Sequence, residues 1–171
     1  MQIRKIAAGA PALALLAAGV ACAASLSNAD KQFLATAART DMTEAHEGQM
    51  AETQATRADV KDFAKSLVDD CTASYTQLSR IAAREGVNIP KGIDSARNPT
   101  IVQLAHLKGD RFDRQFTNDE IAAHRRLLAA FQREARQARD ADVKAFAAKM
   151  VPIVQKHLQD AEKCAKPMGH S

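Results

Sequence analysis

The sequence predicts an all-α protein, a four-helix bundle made of two duplicated helical hairpins that a long crossover joins. Three observations predict this fold in the 171-residue chain. A long segment is repeated once, the composition is rich in Ala and lacks Trp, and Gly and Pro concentrate between the two copies. Helix formers dominate within each copy, so helix is the expected structure there.

The repeat runs from residues 30–68 to residues 113–151 with a constant offset of 83. Its best-matched block reads ADVKDFA at 58–64 and ADVKAFA at 141–147, and each copy begins with a related tetrapeptide, DKQF or DRQF. A unit of this length is too long for a solenoid repeat. We therefore expect a duplicated supersecondary structure that buries its apolar face against its twin.

Each copy is predicted to contain two helices, near residues 29–56 and 58–85 in the first and near 113–139 and 141–165 in the second. Seam residues recur at alternating steps of four and three, which is typical of helices packed in a bundle. No Gly or Pro separates the two helices of a copy. Each copy is therefore predicted to be an antiparallel helical hairpin with a tight turn.

The segment from Gly86 to Phe112 contains three Gly and two Pro residues and is predicted to cross over between the hairpins, with one short helix at Thr100–Leu107. Helices of about 26 residues span about 39 Å. A connection of this length can run back along one of them, which places the two hairpin turns at opposite ends. Ferritin-like bundles use this arrangement with one long crossover.

Residues 1–23 have the features of a secretory signal peptide. Arg4 and Lys5 precede an apolar run that ends in Ala21-Cys22-Ala23, so cleavage is expected before Ala24. Residues 24–171 are then expected to form a single four-helix bundle domain in the periplasm, with no transmembrane span after cleavage. The alternative is a membrane-anchored lipoprotein attached through Cys22.

Charge gives no support for nucleic-acid binding. The predicted mature chain has 22 Lys and Arg residues against 20 Asp and Glu, and the basic residues crowded near 125–139 lack interleaved aromatic residues. A solvated helix face is expected there.

Four phrases resemble a bacterial envelope family catalogued as domain of unknown function 4142: GVNIP at 86, FDRQF at 112, IAAHRRLLAAF at 121 and FAAKMVPIVQKHL at 146. The resemblance covers nearly all of the predicted mature chain and implies a secreted, ferritin-like four-helix bundle without an established activity. Glu44, Asp113, His124 and His157 match recurrent polar positions of that family. Where the family typically has Asp-His, this chain has Asp70-Cys71.

Six polar residues on the predicted seams are the main chemical signal. Positions equidistant from a hairpin turn lie at one level, so these residues are expected to meet near the middle of the bundle. They are Asp41, Glu44, Cys71, Ser74, His124 and His157.

Two interpretations of this group remain open. In the first, Asp41 and Glu44 accept hydrogen bonds from the two imidazoles and no cofactor is needed. In the second, His124, His157, Glu44, Asp41 and Cys71 bind a transition metal such as Zn, Fe or Cu. The Glu-x-x-His pattern of di-iron bundles is absent, because Ile121 and Val154 lie three residues before the histidines.

These interpretations lead to two classes of function. The first, which the sequence favours, is an exported non-enzymatic protein of the cell envelope with a stress-related or interaction role and an envelope protein as its partner. The alternative is a metal-binding or redox bundle with a degenerate site in its core. No catalytic residue and no phosphate-binding loop can be identified, so enzymatic activity is not expected.

Overall fold

Four long helices form the bundle in the computed structural model, which describes residues 26–166. Helix α1 spans Asn28–Gln54 and α2 spans Ala58–Arg84. The crossover holds a 3-10 helix, Ser95–Arg97, and then α3, Asn98–Ala105. Helix α4 spans Asp110–Gln137 and α5 spans Ala141–Cys164.

The all-α bundle of two hairpins with a long crossover is confirmed. Each long helix begins and ends within three residues of its predicted bounds. The largest difference is at α4, which begins three residues early because Gly109, with φ of 61°, turns the chain immediately before it. The short helix begins at Asn98 because Pro99 suits the first helical turn, where its missing N–H has no cost. The predicted signal peptide and Cys22 lie outside the described residues.

Each repeat copy caps the turn of the other copy through its first aspartate. The Asp113 carboxylate accepts hydrogen bonds from the backbone N–H groups of Thr56 and Arg57, at 3.1 and 3.0 Å, and from the Thr56 hydroxyl at 2.8 Å. The Asp30 carboxylate accepts the equivalent N–H groups of residues 139–140, at 3.4 and 3.3 Å. The first turn therefore lies beside the start of α4 and the second beside the start of α1, at opposite ends of the bundle.

Gly48 allows α1 and α2 to approach closely. A Cβ atom there would lie 2.8 Å from Val68 Cγ2 and 3.1 Å from the Ala64 carbonyl oxygen. A larger residue at position 48 would push the two helices of the first hairpin apart.

The core consists of two apolar clusters with a polar layer between them. One cluster lies toward the second turn and is built around Leu34, Phe131 and Phe146. The other lies toward the first turn and is built around Leu67 and Phe116. Within residues 26–166, no helix is long and apolar enough to cross a membrane.

Candidate metal centre

Polar side chains from four helices occupy the layer between the two apolar clusters, and all are buried. The layer contains Asp41, Glu44 and Glu47 from α1, Ser74 from α2, Glu120 and His124 from α4, and His157 from α5. Buried carboxyl groups are costly unless they are paired, protonated or bound to a cation. The composition of this layer therefore requires a physical explanation.

Glu44, Glu120 and His124 form the most compact group, with ligand atoms that all lie within 4.8 Å of one another. His124 Nδ1 lies 3.3 Å from Glu120 Oε2 and 3.7 Å from Glu44 Oε2. Helix α4 positions two members, because residues four apart lie on the same face of a helix. Helix α1 brings the third member from the neighbouring hairpin.

The tautomer of His124 decides what this group can do. Nδ1 lies 3.0 Å from the backbone carbonyl oxygen of Glu120, so a hydrogen on Nδ1 would donate to that oxygen. With its hydrogen on Nε2 instead, Nδ1 carries a lone pair in place of that hydrogen, 3.3 and 3.7 Å from oxygens of the two carboxyl groups. Only this second form can bind a cation jointly with Glu44 and Glu120.

His157 faces His124 but has a different partner from the one predicted. The two rings lie edge to face with centroids 5.3 Å apart. His157 Nε2 lies 2.9 Å from Asp70 Oδ2, so Asp70 accepts its hydrogen bond, and the expectation that Asp41 or Glu44 would do so is wrong. Burial lowers the pKa of His157, while the hydrogen bond to Asp70 opposes that change.

Three carboxyl groups of the layer have at least one oxygen that receives no hydrogen bond from the described residues. No hydrogen-bond donor of the described residues reaches Asp41 Oδ2, Glu44 Oε2 or either carboxyl oxygen of Glu120. Burial raises the pKa of Asp41 to about 8, with the Ser74 hydroxyl opposing and the Glu44 charge adding to the rise. Burial also raises the pKa of Glu120 to about 8 and that of Glu44 well above its ordinary value. A shared proton or a bound cation would satisfy these groups.

A small cavity of about 20 Å³ lies within the layer, and Asp41, Glu44, His124 and His157 all line it. A cavity of this size has room for about one water molecule or one ion. Cys71 also lines it, but burial raises the pKa of its thiol well above the ordinary value. Without a bound cation the thiol is therefore protonated.

The structure thus brings all five predicted ligands to one cavity, but it places only Glu44 and His124 in the compact group. Sequence reasoning missed the third member, Glu120, and the partner of His157. The signal for Glu120 was its position four residues before His124, on the same helix face. His46 and His106 are exposed and take no part in the layer.

A further ion pair borders the compact group. Glu47, three residues after Glu44 on α1, is 1% exposed and accepts hydrogen bonds from Arg97 at both carboxyl oxygens, at 3.2 and 2.6 Å. Arg97 comes from the 3-10 helix of the crossover. Arg97 of the crossover therefore pairs with the buried Glu47 carboxylate. The sequence contains no pattern that predicts this contact.

Comparison with known proteins finds one matching family and two solved structures of similar fold. The family described as "Domain of unknown function (DUF4142)" matches residues 15–164. CopM in its Cu(II)-bound form is similar in structure, with a TM-score of 0.66 and 14% identity over 80% of this chain and 95% of CopM. A candidate spore coat protein of Bacillus halodurans C-125 has a TM-score of 0.67 and 14% identity over 86% of this chain and 97% of its own. No curated protein matches the sequence significantly. At such low identity, the two structural similarities concern the fold alone.

Proposed function

This chain belongs to the family described as domain of unknown function DUF4142, and from its buried polar layer we propose that it binds one divalent transition-metal ion inside the bundle. The ligands are Glu44, Glu120 and His124. The cavity that Glu44 and His124 line is also lined by Asp41 and His157. The carrying observation is the compact group whose Glu120 carboxyl oxygens receive no hydrogen bond from the described residues.

The donor set supports a transition metal over Ca²⁺ or Mg²⁺. One imidazole with two carboxylates suits Zn²⁺, Fe²⁺ or Cu²⁺, and Cu²⁺ binds most tightly to such sites in the general affinity order. A bundle of similar fold, CopM, was solved with Cu(II) bound, which supports the proposal without identifying the ligands in this chain.

We further propose that the ion is bound outside the cytoplasm. Residues 1–23 would direct export and residues 24–171 would act as one bundle domain in the periplasm, or at a membrane through Cys22. A partner in the cell envelope remains a prediction.

One observation favours a metal-free alternative. The carboxyl groups of Glu44 and Glu120 interact through a side-chain hydrogen bond when one of them is protonated, and burial raises the pKa of both. A shared proton could therefore satisfy the pair, and the bundle would act in the envelope through protein contacts alone. In that case the polar layer has a structural role.

Metal content separates the two functions. The chain is purified without a histidine tag, dialysed against Zn²⁺ or Cu²⁺, and its bound metal is measured by mass spectrometry. We expect about one ion per chain, lost in His124→Leu and kept in His46→Leu, which removes an exposed histidine from α1. Wild-type protein without metal, or metal retained by His124→Leu, would contradict the proposed site.

A further inference from the structure

A groove of about 280 Å³ lies between α1 and α4, where the two hairpins meet. It opens to solvent, since Thr36 and Arg126 on its walls are exposed. Small side chains leave this space between the two helices, and those that line the groove are Thr36, Thr40, Thr43, Ala123 and Ala130.

The groove and the small cavity of the polar layer share one wall. Thr40, Glu44 and Leu127 line both spaces. Thr40 and Glu44 are four residues apart and lie on one face of α1, while Leu127 comes from α4. The wall is therefore made of side chains and is one side chain thick, and Glu44 is itself a proposed metal ligand.

Leu127 is the member of this wall that can move most easily. It is half-buried and borders the open groove, and its side chain has no hydrogen-bonding group to hold it. Side chains with free space beside them change rotamer quickly. A change of rotamer at Leu127 would join the groove to the small cavity without separating the helices.

The opposite side of the bundle offers a less favourable passage. A wide groove between α2 and α5 has no lining residue in common with the small cavity among the residues that the structure describes. The cavity does reach Asp70, whose side chain is 40% exposed, but His157 Nε2 lies 2.9 Å from Asp70 Oδ2. An ion passing there would have to break this hydrogen bond.

We infer that the groove between α1 and α4 is the route by which the metal ion enters and leaves the polar layer, with Leu127 as the side chain that must move to let it pass. This inference rests on the proposed function of the Glu44, Glu120 and His124 group. Leu127 supplies no ligand atom. It sets the rates of binding and release, and it changes both by the same factor, so the dissociation constant stays constant.

The rate of Zn²⁺ release tests the inference. Ala123→Leu fills the groove one helical turn before Leu127, and Leu127→Ala opens the shared wall. The control is Ala73→Leu, because Ala73 lines the wide groove between α2 and α5, one turn after Asp70. Each chain is shown to be folded by far-UV circular dichroism and loaded with Zn²⁺. It is then mixed in a stopped-flow instrument with enough chromophoric chelator that the rate no longer depends on the chelator.

We expect release to be about tenfold slower than wild type in Ala123→Leu, about tenfold faster in Leu127→Ala and unchanged in Ala73→Leu. Each chain should bind one ion with a dissociation constant within about twofold of wild type. If Leu127→Ala does not fold, Leu127→Val replaces it, with a smaller expected increase.

Charge at the mouth of the groove gives a second measurement. Arg126→Glu should raise the association rate of Zn²⁺ several-fold at low ionic strength and hardly at all at about 1 M salt, where charges are screened. Arg125→Glu makes the same change of charge away from the groove, because Arg125 faces α5 and donates to Glu162 at 2.8 Å. Equal association rates in the two variants would contradict the route.

The outcomes separate the route from the site. One ion in wild type with equal release rates in all chains would overturn the inference and leave the proposed site intact, as would slower release in Ala73→Leu alone. A release rate that changes together with the dissociation constant would also overturn it, because a barrier on the route changes both rates equally. No ion in wild type would refute the proposed function and the route with it.

Discussion

Replacing Glu120 by glutamine is expected to have opposite effects with and without metal. Glu120 is 0% exposed, and the described residues donate no hydrogen bond to its carboxyl oxygens. Glutamine has nearly the same shape and carries no charge. In the metal-free protein the substitution should therefore remove the free-energy cost of burying an ionisable carboxyl group. In the metal-bound protein it should instead remove a metal ligand.

The pKa of Glu120 sets the size of the first effect. Burial raises it from an ordinary 4.5 to about 8, so at pH 7 the folded chain keeps a proton that the unfolded chain releases. Between pH 4.5 and 8 the folded state binds more protons, so its free energy of unfolding falls as the pH rises. At about 1.4 kcal/mol per pH unit, the cost at pH 7 is at most about 3 kcal/mol. We expect metal-free Glu120→Gln to be more stable than wild type by about 1–3 kcal/mol at pH 7 and by almost nothing at pH 4.5.

Mass action sets the size of the second effect. A free Zn²⁺ concentration 100 times the dissociation constant should stabilise wild type by about 2.7 kcal/mol, and Glu120→Gln should gain much less. Urea unfolding followed by circular dichroism, with a chelator or with Zn²⁺, measures both effects. Glu134→Gln is the control, because burial raises the pKa of this carboxyl on the same helix far from the compact group. Equal stability of Glu120→Gln and wild type at both pH values, or equal gains from Zn²⁺, would refute the reasoning.

The remaining predictions concern metal affinity, the turns and His157. Zn²⁺ affinity should rise between pH 6 and pH 8, because Glu120 must lose its proton to bind the ion. Calorimetry in buffers of different ionisation enthalpy should detect that proton release. A Zn²⁺ affinity that does not change with pH would contradict this prediction. In urea unfolding, Asp113→Asn should lower the free energy of unfolding by about 2–4 kcal/mol and Asp30→Asn by about 1–2 kcal/mol, because the hydrogen bonds of Asp113 are shorter and more numerous. Equal losses in the two variants would contradict this reason. His157→Leu should lower the free energy of unfolding by only about 1 kcal/mol at neutral pH, because the side chain of its partner Asp70 is 40% exposed and can be hydrated. The variant should lose less stability than wild type on acidification below pH 6.5, because burial lowers the pKa of His157 in the folded chain. A larger cost at neutral pH would show that the contact with His124 matters more than the structure indicates.

The fold could be predicted from the sequence because its determinants are local or repeated. Helical periodicity depends on neighbours three and four positions away, and the repeat fixed both hairpins at once. The length of the crossover then decided that the turns lie at opposite ends. The reciprocal capping by Asp30 and Asp113 was not predicted, although both residues begin the repeat, because it joins one copy to the turn of the other.

The candidate site could be predicted only in part. The level of each polar residue along its helix follows from its distance to the turn, which brought Glu44 and His124 together correctly. Glu120 was missed because the strict seam of α4 passes through Ile121 and His124, whereas the buried face of a bundle helix is broader than that seam. Its repeat equivalent is Ala37, which is also buried. Burial at this position is therefore a property of the fold, and its carboxyl group is specific to the second copy.

The partners of buried polar groups were beyond sequence reasoning. Which acid accepts from His157 depends on the rotation of α2 against α5, and no spacing rule within a hairpin fixes that rotation. Arg97 reaches Glu47 from an irregular crossover, where periodicity gives no position. Both contacts depend on tertiary packing of side chains that are distant in sequence.

Diffraction at the zinc absorption edge, from crystals of the full chain grown with Zn²⁺, shows directly whether the bundle binds a metal ion. We expect an anomalous peak inside the bundle, about 2.0–2.2 Å from the imidazole nitrogen of His124 and from carboxyl oxygens of Glu44 and Glu120. Peaks only at exposed groups such as His46 or His106, with the two carboxyl groups of the layer still facing each other without an ion, would contradict it.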